Sequence, residues 1–380
     1  MFSTLLPLLF SLLCAGYAVS QDCVGTISSM DDVAIAVKCK TVNINAFTVP
    51  PNVTFNLSLL DNTIVNMLGN VSFGVFNWAG PLFQVSGKQV LFNGNGYFFD
   101  GNGPAYWDGL GGNGGVIKPH PMMKIKISGL FTKVGVLNSP AHTFSISNPA
   151  PLTISHITID NSLGAYPNAN SSGKPAGHNT DGFDCSTTNL VIENSLIMNQ
   201  DDCIAINKGN NITFHKNTCV GGHGISVGSI DSNVVASNIQ ITGNTIINND
   251  QALRIKTKAA ATNSTVTNIT FSGNTATGCS DFGVIIDQSY SATLGTPGDG
   301  VALSNVKFVG TMNTIHVNDT ARRVAVNCGK SSCIGAHSRY EVLGRHVNPI
   351  SLGVWDWNKL NVTGGIVGPV NYAGITNWSQ

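Results

Sequence analysis

Short runs of alternating apolar and polar residues recur through the middle of the chain, each bounded by Asn or Gly. The segments Asn189-Leu-Val-Ile-Glu-Asn194, Asn211-Ile-Thr-Phe-His-Lys-Asn217, Asn238-Ile-Gln-Ile-Thr-Gly-Asn244 and Asn268-Ile-Thr-Phe-Ser-Gly-Asn274 share one pattern. Asn305-Val-Lys-Phe-Val-Gly and Leu152-Thr-Ile-Ser-His-Ile-Thr-Ile are weaker copies. Alternation marks strands with one buried face. A unit this small cannot bury that face alone, so neighbours must stack as coils of an all-β solenoid, with strands roughly 4.8 Å apart. Unequal repeat lengths then fall in loops, which wall a cleft on one side. A β-sandwich with coincidental Asn usage is the competing architecture.

Before the repeats, Ser28-Ser29-Met30-Asp31-Asp32 precedes the apolar run Val33 to Val37 and reads as a capped short helix with acids in its first turn. Such a helix covers the open end of the stack and blocks edge-to-edge pairing. No linker divides the chain, so residues 21–380 form one domain.

Charged residues make up 11% of the chain and sum to zero net charge. That excludes the basic surface a nucleic-acid binder needs. At the N-terminus, Leu5 to Ala18 is an apolar run followed by small residues, so residues 1–20 read as a signal peptide. The run is too short to span a bilayer, and no later stretch is long enough. The sequence predicts a secreted, extracellular protein. Ten Asn-x-Ser/Thr sequons, at Asn52, Asn56, Asn70, Asn170, Asn211, Asn263, Asn268, Asn318, Asn361 and Asn377, fit that reading. With Cys14 lost in the signal, eight cysteines remain. Sequence-local pairs are expected at Cys23–Cys39, Cys203–Cys219 and Cys328–Cys333. Cys185 is expected to be a buried free thiol, and Cys279 to be free or linked to another chain. No close Cys/His quartet suggests zinc, and no metal or cofactor is expected.

Four polar clusters punctuate consecutive repeats: Asn179-Thr180-Asp181, Asp201-Asp202, Gly222-His223-Gly224 and Arg254-Ile255-Lys256. Each lies about one coil after the last, so coils in register bring all four to one surface strip. Three carboxylates held together cannot all ionise freely, so one keeps a proton. A protonated acid beside ionised carboxylates suits glycoside hydrolysis. A lone Asp-Asp pair is more often a plain surface charge, as Asp31-Asp32 reads. Asp201-Asp202 differs because it runs into Cys203 and the strand Ile204-Ala205-Ile206. His223 alone is more often a turn residue. Arg254 and Lys256 flank Ile255 and so share a face, suited to an anionic sugar. Lys208 and Lys258 add to the same field.

Four matching signatures carry a resemblance: Asn179-Thr180-Asp181-Gly182-Phe183-Asp184, Gln200-Asp201-Asp202-Cys203, Gly221 to Ser229 and Arg254-Ile255-Lys256. In type, order and spacing they resemble the polygalacturonase family of glycoside hydrolases, most closely the fungal endo-acting type. The resemblance implies a single-domain right-handed parallel β-helix that cleaves α-1,4 bonds of polygalacturonate, or pectin, with inversion and without metal. By likeness, Asp201 is the general acid, Asp181 and Asp202 share the activation of water, and His223 tunes the acid. Asn179, Arg254, Lys256 and Tyr290 hold the sugar's carboxylate and hydroxyls. The run Ile230-Asp231-Ser232-Asn233 departs from the glycine-rich turn associated with many fungal members. Alternatives on the same fold are an exo-polygalacturonase, a rhamnogalacturonan hydrolase, a pectate lyase or an inactive pectin-binding descendant. A monomer is the default oligomeric state.

Overall fold

The computed structural model describes residues 22–335 and 355–371. The expected signal segment, Cys14 and Asn377 lie outside the described residues. Within them, 29 strands join through parallel pairings into one continuous β-helix, of the right-handed kind that parallel crossovers favour. The repeat pattern maps onto its coils. Phe183–Glu193 pairs with Ile204–His215, which pairs with Val235–Thr242, then with Ser264–Ser272 and Val301–Phe308.

Inward-facing positions stack into apolar columns, because parallel strands in register place like positions above one another. Leu190, Ile212, Ile239, Ile269 and Val306 form one such column, and all are at most 1% exposed. Phe144 and Phe183 stack at 5.1 Å between ring centroids, and Phe271 and Phe308 at 4.8 Å.

The recurrent asparagines have two physical causes. Asn189, Asn211, Asn238, Asn268 and Asn305 adopt left-handed backbone angles, which Asn tolerates better than other chiral residues. Inside the turns, Asn217, Asn244, Asn274 and Asn313 form a buried amide ladder. The Nδ2 of Asn244 donates to Asn274 Oδ1 at 2.9 Å, and that of Asn274 to Asn313 Oδ1 at 2.8 Å. The ladder satisfies amides that would otherwise be buried without partners. Two sequon asparagines, Asn211 and Asn268, are engaged in an outer ladder, donating to Asn189 and Asn238 respectively.

At the N-terminal end, Met30–Asp32 forms a 3₁₀ turn and Val33–Ala36 one turn of α-helix. Asp32 Oδ2 accepts from the Ser28 and Ser29 amides at 2.9 Å, fixing the start of the helix. The three expected disulfides form. Cys185 and Cys279 are unpaired and fully buried. A link from Cys279 to another chain is therefore excluded by burial, which also pushes its thiol up to about 12.

Candidate active site

The clusters converge because the turns carrying them are bonded rung to rung. The Gly182 amide donates to the Asp202 carbonyl at 2.9 Å, and the His223 amide to the Asp201 carbonyl at 2.8 Å. The Asp250 amide then reaches the Gly222 carbonyl at 2.8 Å. Buried asparagines brace these turns: Asn199 Nδ2 lies 3.0 Å from the carbonyls of Thr180, Asp201 and Asp202. Asn249 Oδ1 accepts from the Gly222 and Gly224 amides at 3.1 and 3.0 Å. The glycines around His223 serve close coil packing. A Cβ at Gly222 would meet the Asp201 carbonyl oxygen at 2.2 Å, and one at Gly224, where φ is +79°, the Gln251 carbonyl oxygen at 2.0 Å.

The three acids are unequal. Asp202, 1% exposed, is fully engaged: Ser226 Oγ donates to its Oδ1 at 2.7 Å, and the Lys256 ammonium pairs with its Oδ2 at 2.5 Å. Asp201 accepts at Oδ1 from the Asp202 amide at 2.7 Å and lies 2.9 Å from His223 Nδ1. Its Oδ2 accepts from Asn179 Nδ2 at 2.9 Å. Asp181 is 7% exposed, and its Oδ1 has no hydrogen-bond partner.

These surroundings separate their protonation. Burial acts to raise Asp201, but the hydrogen bond and charge of His223, the Lys256 ammonium and the Asp202 amide outweigh it. Its pKa falls well below the usual carboxylate range. Burial and then the charges of Asp201, Asp184 and Asp202 push Asp181 well above that range. For His223, burial favours the neutral ring, yet Asp201, Asp202 and Asp250 prevail and raise it. These shifts favour an ionised Asp201 beside a protonated imidazole, with the proton of the acid cluster retained on Asp181. Of the three acids expected to resist joint ionisation, Asp181 is shifted toward keeping a proton and Asp201 toward losing it.

The sugar-binding candidates divide. Asn179 bridges the Asn113 amide, which donates to its Oδ1 at 3.1 Å, and Asp201. The Arg254 guanidinium lies 5.7 Å from the Tyr290 ring centroid, and its Nε has no partner. Lys256, 6% exposed, lies 5.1 Å from the same ring but is committed to Asp202. Lys258 pairs instead with exposed Asp231, away from the acids. Asp201, Asp202 and His223 are spaced closely enough to hold a cation. The Lys256 ammonium already neutralises the Asp202 oxygen facing it, so the cluster has a resident positive charge.

Two groups at the site were not anticipated. His142 lies with Nε2 3.7 Å from Asp181 Oδ1 and Nδ1 3.3 Å from Asp184 Oδ2. Burial lowers its basicity, but Asp184, Asp201 and Asp202 more than restore it, and its pKa is raised. Asp250 stands 3.4 Å from His223 Nε2, so the second imidazole also faces two carboxylates. His142 sits in no repeated motif; the signal that marks it is its place two residues before the strand Phe144–Ile146, the position Asp181 takes before Phe183.

An acid cluster of unequal protonation, set in a strip across parallel coils, defines a β-helical hydrolase acting on polysaccharide. Residues 39–340 match the family model of glycosyl hydrolases family 28, and the chain belongs to that family. It is 39% identical over 338 residues to an endo-polygalacturonase of Sclerotinia sclerotiorum, covering 86% of this chain and 80% of that protein. It is 37% identical over 351 residues to endopolygalacturonase 1 of Colletotrichum lindemuthianum, covering 88% and 86%. The structure superposes on endopolygalacturonase I from Stereum purpureum, solved with two galacturonates, with a TM-score of 0.82 and 42% identity over 91% of this chain and 96% of that one.

Proposed function

We propose that this enzyme hydrolyses α-1,4-galacturonosidic bonds within polygalacturonate chains with inversion, using Asp201 as general acid and Asp181 as the principal base. The protein is a pectin-degrading, endo-acting glycoside hydrolase of the polygalacturonase class. The assignment of roles rests on one observation: Asp181 alone among the three acids keeps a buried carboxylate oxygen without a hydrogen bond.

The site holds its protons as a coupled set, so their positions belong to the cluster. A bound sugar excludes water and brings its own carboxylate, both of which oppose an ionised Asp201. The proton of His223 Nδ1 then passes along the 2.9 Å contact to Asp201 Oδ1. With Asp201 neutral, the strongest nearby charge opposing ionisation of Asp181 is gone, and Asp181 releases its proton to solvent. Asp201 now protonates the glycosidic oxygen as the bond from that oxygen to the anomeric carbon breaks. Water attacks the anomeric carbon from the opposite face, and its proton passes to Asp181. Asp202, held by Lys256 and Ser226, supplies fixed negative charge beside the developing oxocarbenium centre. The unpartnered Arg254 Nε, with Tyr290, Asn179 and Lys256, binds the galacturonate carboxylate and hydroxyls.

The enzyme acts outside the cell as a monomer. The apolar N-terminal run and three disulfides support export to an oxidising compartment. Among the described residues no helix is long and apolar enough to cross a membrane. Light scattering checks the mass in solution.

Incubation with polygalacturonic acid in chelator at mildly acidic pH, following viscosity and reducing ends together, tests the reading. Rapid loss of viscosity at low bond cleavage is the expected result. Steady release of monomer with slow viscosity loss would show exo action, and binding without products an inactive descendant.

A further inference from the structure

The register that assembles the acids also repeats the cationic pair at a distance. On the sheet face that carries the site, Lys124 pairs with Ser145, Ser145 with Asp184, Asp184 with Ala205, Ala205 with Ser226 and Ser226 with Arg254. Lys124 and Arg254 therefore occupy one column, five rungs or about 24 Å apart. The adjacent inward column runs from Ile125 through Ile146, Cys185, Ile206 and Val227 to Ile255. It separates Lys124 from Lys126 at one end as it separates Arg254 from Lys256 at the other. Met123, Ile125 and Ile127 are fully buried while both lysines are part-exposed, so alternation turns both ammonium groups outward. Asp181, Asp202 and His223 precede the intermediate rungs. The two cationic pairs flank the acids from opposite ends of one sheet face.

The pairs differ in what they touch. Lys256 pairs with Asp202. Among the described residues neither Lys124 nor Lys126 has a carboxylate within 4.0 Å. Their partners on the preceding rung are neutral, Gln84 and Ser86. The acid in the Lys124 column, Asp184, is two rungs away, about 10 Å, and is turned to His142. Two like charges about 7 Å apart on one strand face, without a counter-charge, favour an anion between or above them.

We propose that Lys124 and Lys126 form a second carboxylate-binding subsite, which receives a uronate unit of the same polysaccharide several sugars from the scissile bond. The inference rests on the reading of the site as a galacturonan hydrolase. A pyranose unit is about as long as a rung is high, so a chain laid along the helix axis across the acids and Arg254 reaches Lys124 only when it is long. The subsite rewards long chains and disfavours short ones, which is the behaviour required for attack within a polymer. Its contribution is electrostatic and its lysines are part-exposed, so it weakens as salt rises.

The test compares the wild type with Lys124→Gln/Lys126→Gln and Lys124→Arg/Lys126→Arg on saturated oligogalacturonates of defined length. For the Gln variant, kcat/KM on long oligomers is expected to fall about tenfold, mainly through KM and most at low salt, with trimer turnover and Tm unchanged. The Arg variant keeps the wild-type profile. Equal loss on long and short oligomers, or no loss on long ones, overturns the subsite. Calorimetric titration of the same oligomers, with Asp201→Asn added to both backgrounds, separates the two readings. A wild type that turns over no galacturonan, with length-dependent binding still lost in the Gln variant, would sink the hydrolase reading and leave the subsite standing.

Discussion

Asp201 and Asp181 lie on neighbouring coils of one strip, yet the protein treats them in opposite ways. Asp201 is surrounded by donors, with a backbone amide, an asparagine and an imidazolium aimed at its two oxygens. Asp181 is equally buried and keeps Oδ1 without a hydrogen bond, the His142 ring standing 3.7 Å away. The difference shows that position on the ladder decides which residues meet, whereas the donors around each carboxylate decide its charge. Inverting hydrolysis needs that asymmetry, since one carboxyl must give a proton while another takes one.

Removing the acid is expected to have the largest effect. Asp201→Asn should lower kcat about a thousandfold with little change in KM, read by initial rates on polygalacturonate. Unchanged turnover would remove Asp201 from the acid role. Next comes the buried pair beside it. Lys256→Met leaves Asp202 buried and unpaired and should cost about 3–5 kcal/mol of stability, seen in denaturant unfolding. Adding Asp202→Asn should restore most of the stability but not the activity.

The His223 side carries a pH signature. Its pKa is raised above the ordinary 6.5, so its stabilising contribution is complete below about that pH and is lost as pH rises through the folded value. The Tm deficit of His223→Ala should therefore be greatest in mild acid and shrink in alkali. A deficit that grows with pH would contradict the charge assignment. The smallest effect is expected across the strip. His142→Gln should reduce kcat/KM about tenfold or less and shift the pH profile, because the variant loses the cation beside Asp181 and Asp184. A lower kcat/KM with an unshifted profile would make His142 merely structural.

Much of this was legible in the sequence for a physical reason. Coil stacking converts a spacing of about one repeat into proximity, so Asp181, Asp201, Asp202, His223 and Arg254 could be placed together from their intervals. The Asn pattern gave the same coils independently, through left-handed turns and the amide ladder. Charge state was not legible in this way. For Asp201 it depends on the His223 imidazole, the Lys256 ammonium and the Asp202 amide, groups whose direction spacing does not encode. The pairing of Lys256 with Asp202 was hidden because the two lie two coils apart. His142 escaped because its turn repeats none of the signature residues, although its distance from the following strand matches that of Asp181.

Thermal unfolding of Asp181→Asn against the wild type from about pH 4 to about pH 8 tests the central claim most directly. A carboxyl whose folded pKa is raised withdraws stability as pH rises above its unfolded value and through the folded one. The amide should therefore be inactive yet more stable than the wild type, by a margin that widens toward neutrality. A variant less stable than the wild type, or one whose margin is flat with pH, would contradict an Asp181 that holds the proton at rest.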